Sequence, residues 1–153
     1  MALITICVDD VRQNIKEIIN KVLEFNSDVI WVLSDTDMKF CNIEEYSGIG
    51  LGKEDTKEDI LKKRLLKKEV VKLKGKEIIE LLNSVYDFEF GIILCFEENE
   101  VGELNCVPMV GERTHEFPYT DNALMELRIY EEILDIYISD DINHVIHVVK
   151  TFA

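Results

Sequence analysis

At 153 residues and 47% hydrophobic content the chain can bury most of its apolar surface around one core, and a net charge of −14 sets it against polyanions such as nucleic acid and anionic lipid. Its longest unbroken apolar run, Phe90 to Phe96, falls far short of the roughly 20 residues a membrane span needs, and its N-terminus lacks the basic leader of a secretory signal. These features predict one domain, spanning 1–153, at a cytosolic address without membrane or nucleic-acid partners.

Leu3 to Val8 is apolar and partly β-branched, and predicts a first strand ended by Asp9 and Asp10. A helix follows, capped by Asp10 with Gln13 in the capping-box position, and Val11, Ile15, Ile18, Ile19 and Val22 recur on one face. Asp28 to Leu33 predicts a second strand. Ser34-Asp35-Thr36-Asp37 has the short oxygen-bearing side chains of a turn, so Met38 to Ile43 is expected to return as a hairpin partner. Glycines at 48, 50 and 52 make residues 44–52 a loop. Thr56 or Asp55 caps a charged helix reaching about Lys68, with a narrow apolar stripe of Ile60, Leu61 and Leu65.

Val70 to Leu73 reads as a short edge strand guarded by Lys72 and Lys74. A third helix is expected from about Gly75 to Tyr86, with Ile78, Ile79, Leu82 and Val85 inward. Phe88 to Phe96 is apolar without alternation, the pattern of a central strand covered on both faces. Residues 97–122 hold both prolines and predict a long loop. Beyond it, Met125, Leu127 and Ile129 alternate with Glu126, Arg128 and Tyr130, and Leu134, Ile136 and Ile138 with Asp135, Tyr137 and Ser139, a hairpin turning at Glu131-Glu132. Asp140 or Asp141 caps a last helix bearing Ile142, Val145, Ile146, Val149 and Phe152. The fold class is α+β: a mixed, mostly antiparallel sheet of about five to six strands, with three to four helices mainly on one face.

Known site chemistries are poorly matched. Ser47-Gly48-Ile49-Gly50-Leu51-Gly52-Lys53 is glycine-rich in the manner of phosphate loops, but Ser47 stands where a P-loop needs its first glycine and Glu54 where it needs a hydroxyl. His144 and His147 lie one helical turn apart and His115 elsewhere, without the H-E-x-x-H spacing of a zinc protease. Cys7, Cys41, Cys95 and Cys106 form no C-x-x-C pair, and reduced thiols are expected. Neither a nucleophile elbow nor an EF-hand spacing occurs, so no cofactor, metal or catalytic residue is assigned.

Charge is the remaining signal. Ten of the 17 basic residues fall within Lys53 to Lys76, a local +5, whereas residues 77–153 carry −14. The basic strip has one arginine and no interleaved aromatics, which disfavours nucleic-acid readout and favours a solvated face balanced by Glu54, Glu58 and Glu69. The acidic C-terminal half suits a basic protein partner, as in an inhibitor or immunity-type protein neutralising a nuclease toxin. Tyr119, Glu126, Tyr130, Glu131, Glu132, Asp135 and Tyr137 are the expected contacts, on the outward side of the hairpin or its adjoining loop. The alternatives are an enzyme or small-ligand binder using loops 44–52 and 97–122, and a self-associating structural subunit joined through the basic strip and acidic hairpin.

Overall fold

The computed structural model describes residues 2–7, 9–40, 56–100 and 123–140. They form strand β1 (Ala2–Cys7), helix α1 (Val11–Phe25), strand β2 (Val29–Phe40), helix α2 (Lys57–Leu66), strand β3 (Val71–Lys74), helix α3 (Gly75–Asn83), strand β4 (Val85–Glu97) with a 3-10 turn at Glu98–Glu100, and strands β5 (Met125–Tyr130) and β6 (Ile133–Ile138). The six strands make one sheet in the order β1-β6-β5-β4-β2-β3, and each neighbouring pair is antiparallel. The fold class is therefore α+β as expected, with no parallel pair among the described residues. The loop expected over 97–122 starts later, since Glu97 ends β4 and Glu98–Glu100 form the 3-10 turn; its remainder, the loop over 44–52 and the predicted last helix beyond Asp140 lie outside those residues.

Local chemistry sets the helix boundaries. Asp10 accepts the Gln13 backbone N–H at 3.1 Å, while the Gln13 side chain turns to Glu17 at 3.2 Å rather than closing the box. All five predicted apolar positions of α1 are buried. In α2 the box is complete: Asp59 N–H donates to Thr56 Oγ1 at 3.1 Å and Thr56 N–H to Asp59 Oδ2 at 3.0 Å. Its inward stripe is the expected one in part: Leu65 is buried and Leu61 packs against the core, but Ile60 is 50% exposed and Lys62 is buried. The aliphatic stem of Lys62 lies inward and its ammonium reaches Glu58 at 3.1 Å, over the Phe40 ring, so a lysine takes a position that polarity reserves for solvent.

Two boundaries differ from expectation. The polar run Ser34 to Asp37 does not turn the chain back: β2 continues through it to Phe40, with register shifts against β4 around Asp37 and Asp35 at φ 48°. A β-bulge and a turn use the same left-handed residue, and the long β4 pairs with β2 on both sides of the irregularity, which selects the bulge. Helix α3 stops at Asn83, because Ser84 N–H and Oγ both donate to Leu81 O, at 3.0 and 2.8 Å. Val85 and Tyr86 thus open β4 instead of closing the helix.

The helices share one face of the sheet. Ile15, Ile18, Ile19 and Val22 of α1, Leu65 of α2 and Ile78, Leu81 and Leu82 of α3 join Trp31, Leu33, Ile93, Cys95, Leu127 and Ile136 in the main core. Gly75 makes the close approach of α3 to α1 feasible, as a Cβ there would run into the Leu23 side chain. The other face carries a second cluster of Val32, Ile92, Leu94, Phe96 and Ala123. Strand β4 is thus buried on both sides, as its unbroken apolar run implied. Truncation should separate the two readings of α2: Leu65→Ala is expected to cost about 2–5 kcal/mol and Ile60→Ala less than about 0.5 kcal/mol, measured by urea unfolding.

Candidate functional site

The C-terminal end of β1, the first turn of α1, the start of β4 and the β5–β6 turn converge at one end of the sheet. Antiparallel pairing brings them there: Cys7 faces Ile133 across β1 and β6, and Phe90 faces Tyr130 across β4 and β5. Glu131 N–H donates to Glu89 O at 2.7 Å, extending that ladder into the turn, where Glu131 takes φ 54°. Arg12 Nη1 donates to Val85 O at 2.5 Å and ties the helix start to β4.

A cleft of about 880 Å³ opens between these segments. Among the described residues, Asp9, Asp10, Asp87, Glu89, Glu131 and Glu132 line it, against a single basic lining residue, Arg12. Cys7, Val11, Tyr86, Phe88 and Ile133 complete the wall, and Tyr86 is 60% exposed. Just outside, Lys39 pairs with Asp87 at 3.6 Å. The six carboxylates come from three separate stretches of sequence, so their negative field is a product of the fold. Among the described residues, no group of His, Cys, Asp and Glu is arranged to hold a metal ion.

Of the expected contacts, Glu131 and Glu132 are exposed on the cleft rim. Tyr130 is half-buried, its ring edge-on to Phe90 at 5.2 Å, and Asp135 is half-buried, accepting from Thr5 Oγ1 at 2.7 Å. Glu126 and Tyr137 are placed differently: Glu126 is 0% exposed, Tyr137 is buried, and the Arg128 Nε lies 2.7 Å from Glu126 Oε2 in a buried ion pair. Alternation assigned both to the side of the sheet away from the helices, but that side carries its own apolar cluster, including Leu94, the β4 partner of Glu126. Tyr119 lies outside the described residues, as do His115, His144 and His147.

Sequence reasoning missed Asp9, Asp10, Tyr86, Asp87 and Glu89 as members of one site. Asp9 and Asp10 were legible as a strand end and a cap, and Tyr86 was placed in a helix. The available signal was that strand ends and a two-residue hairpin turn in one antiparallel sheet gather at a common edge. The basic strip, by contrast, lies around α2 and the edge strand β3, where Arg64 pairs with Glu69 at 2.9 Å and Lys68 approaches Asp35 at 3.9 Å. Such exposed pairs contribute little stability individually.

Two thiols are described. Cys7 is exposed beside the cleft, whereas Cys95 is buried and desolvation pushes its thiol well above the ordinary range, holding it protonated. Because ionisation is disfavoured only in the folded state, this group's effect on stability is full below the ordinary thiol range and is lost as pH rises above it. Peptide-resolved mass spectrometry after alkylation should show Cys7 labelled in the native protein and Cys95 labelled only after unfolding. Glu126→Ala, which removes a buried carboxylate partner of Arg128, is expected to cost about 3–5 kcal/mol by urea unfolding while leaving the cleft carboxylates in place. Compared with models of protein families, with characterised proteins and with solved structures, the chain matches none.

Proposed function

We propose that this is a cytosolic binding protein that takes a basic protein partner at the acidic cleft, as an inhibitor or immunity-type protein takes a cationic toxin such as a nuclease. The observation that carries the reading is the gathering, among the described residues, of six carboxylates around one open cleft with a single basic lining residue. Charge of one sign concentrated on a concave surface raises the encounter rate with oppositely charged macromolecules and fixes their approach. Exposed Tyr86 on the cleft wall supplies an aromatic side chain of the kind that anchors interfaces, a part the hairpin tyrosines fill less well from their buried and half-buried positions.

Size supports a macromolecular guest. A cleft of about 880 Å³ is at the upper end of small-ligand pockets, but its rim is charged and open, where ligand pockets are mostly apolar and enclosing. The carboxylates act as a field and as hydrogen-bond acceptors for lysine and arginine side chains, and the chemistry requires no cofactor. No helix among the described residues is long and apolar enough to cross a membrane, which leaves the cleft compatible with a water-borne partner.

The test is capture from cytosol on immobilised wild type and on Asp9→Asn/Glu131→Gln/Glu132→Gln, followed by association kinetics of whatever binds. A basic polypeptide should be retained by wild type and not by the variant, with an on-rate falling about tenfold or more between low and high salt. Retention of small metabolites alone, or of a protein whose on-rate ignores both salt and the three substitutions, overturns the reading.

A further inference from the structure

The two edges of the sheet are defended differently. β3 carries exposed Lys72 and Lys74, so a second copy laid antiparallel along it sets lysines close to lysines. β1, Ala-Leu-Ile-Thr-Ile-Cys, holds no charge and no proline, and pairs in unbroken register with β6, its only strand partner among the described residues. An edge strand of that composition presents backbone donors and acceptors without the devices that discourage pairing. We propose that β1 is a self-association edge, pairing antiparallel with β1 of a second copy across a two-fold axis.

The strand's own order of residues argues for a second copy over a foreign strand. A two-fold axis normal to the sheet leaves each face on its own side, so facing residues must share parity and the axis must pass through a residue. Set through Thr5, it places Ile4 opposite Ile6 on the helix-bearing face and Thr5 opposite itself on the other. An apolar pair and a threonine pair are both favourable cross-strand neighbours, and no facing pair contains a charge. Moving the axis to Ile4 sets Thr5 against Leu3 and splits the isoleucine pair. Ile4 and Ile6 already belong to the main core, so the junction continues that core from one copy to the next.

The arrangement leaves the cleft usable. Cys7 marks the cleft end of β1, and antiparallel pairing puts the two Cys7 ends at opposite ends of the junction. Salt also acts with opposite sign on the two events: it screens the repulsion between two copies of charge −14 and favours their pairing, while it weakens capture of a basic partner.

Sedimentation equilibrium of the full chain tests the inference. The wild-type mass should climb from one chain towards two as concentration rises, more readily at high salt, and Thr5→Lys, which sets two ammonium groups face to face, should return it to one. Far-UV circular dichroism checks that the variant is folded. Independently, in a chain carrying Cys7→Ser, Cys41→Ser and Cys106→Ser, Thr5→Cys should form an intermolecular disulfide under mild oxidation, and Ser27→Cys, exposed in the turn after α1, should not. A single-chain mass at every concentration and salt, a folded Thr5→Lys that still doubles, or equal cross-linking at positions 5 and 27 overturns the proposal.

Discussion

The pairing of β4 with both β2 and β5 is the constraint on which the rest of the molecule depends. This strand is the longest in the sheet, runs through its middle, and is buried on both faces along Ile92 to Phe96. Its burial makes a bulge in β2 preferable to a turn, since pairing on both sides of Asp35 outweighs one residue's left-handed backbone. Its starting point, fixed by the closure of α3 at Ser84, determines where Tyr86, Asp87 and Glu89 emerge. The cleft is a consequence of where a central strand begins.

Electrostatics then divides the molecule by position within the sheet. The basic residues of α2 and β3 lie along one edge, while the carboxylates of the cleft lie at one end of the other strands. Strand β4, which supplies Asp87 and Glu89 to the cleft, lies two positions from β3, and the Lys62 ammonium of α2 sits over Phe40, the β2 partner of Val85, so the two regions adjoin. Local pairing on the basic side, through Glu58, Glu69 and Asp35, reduces its field, whereas among the described residues the cleft holds one lining cation, with Lys39 beside Asp87.

The buried pair Glu126 and Arg128 belongs to a different economy. Each charge is withdrawn from water and compensated by the other at 2.7 Å, on the sheet face that also holds the second apolar cluster. Such a pair adds little net stability, because the cost of desolvating two ions largely offsets their attraction. An alternating polar residue and a surface residue are thus distinct categories. Glu126 and Glu132 look alike in the sequence, yet one sits at 0% exposure and the other on the open rim.

Periodicity and capping chemistry in the sequence determined the elements themselves: α1 with its five buried positions, the Thr56 cap, the edge strand at Val71, the two-sided central strand, and a hairpin turning at Glu131. These depend on neighbours a few residues apart, so a linear reading reaches them. Which polar residues meet water, which lysine is buried, and which carboxylates share a cleft depended on strands distant in the chain lying side by side. A charge's position along the sequence carries no record of its distance from another across the sheet, and only the tertiary structure brings Asp9, Asp87 and Glu131 to one surface.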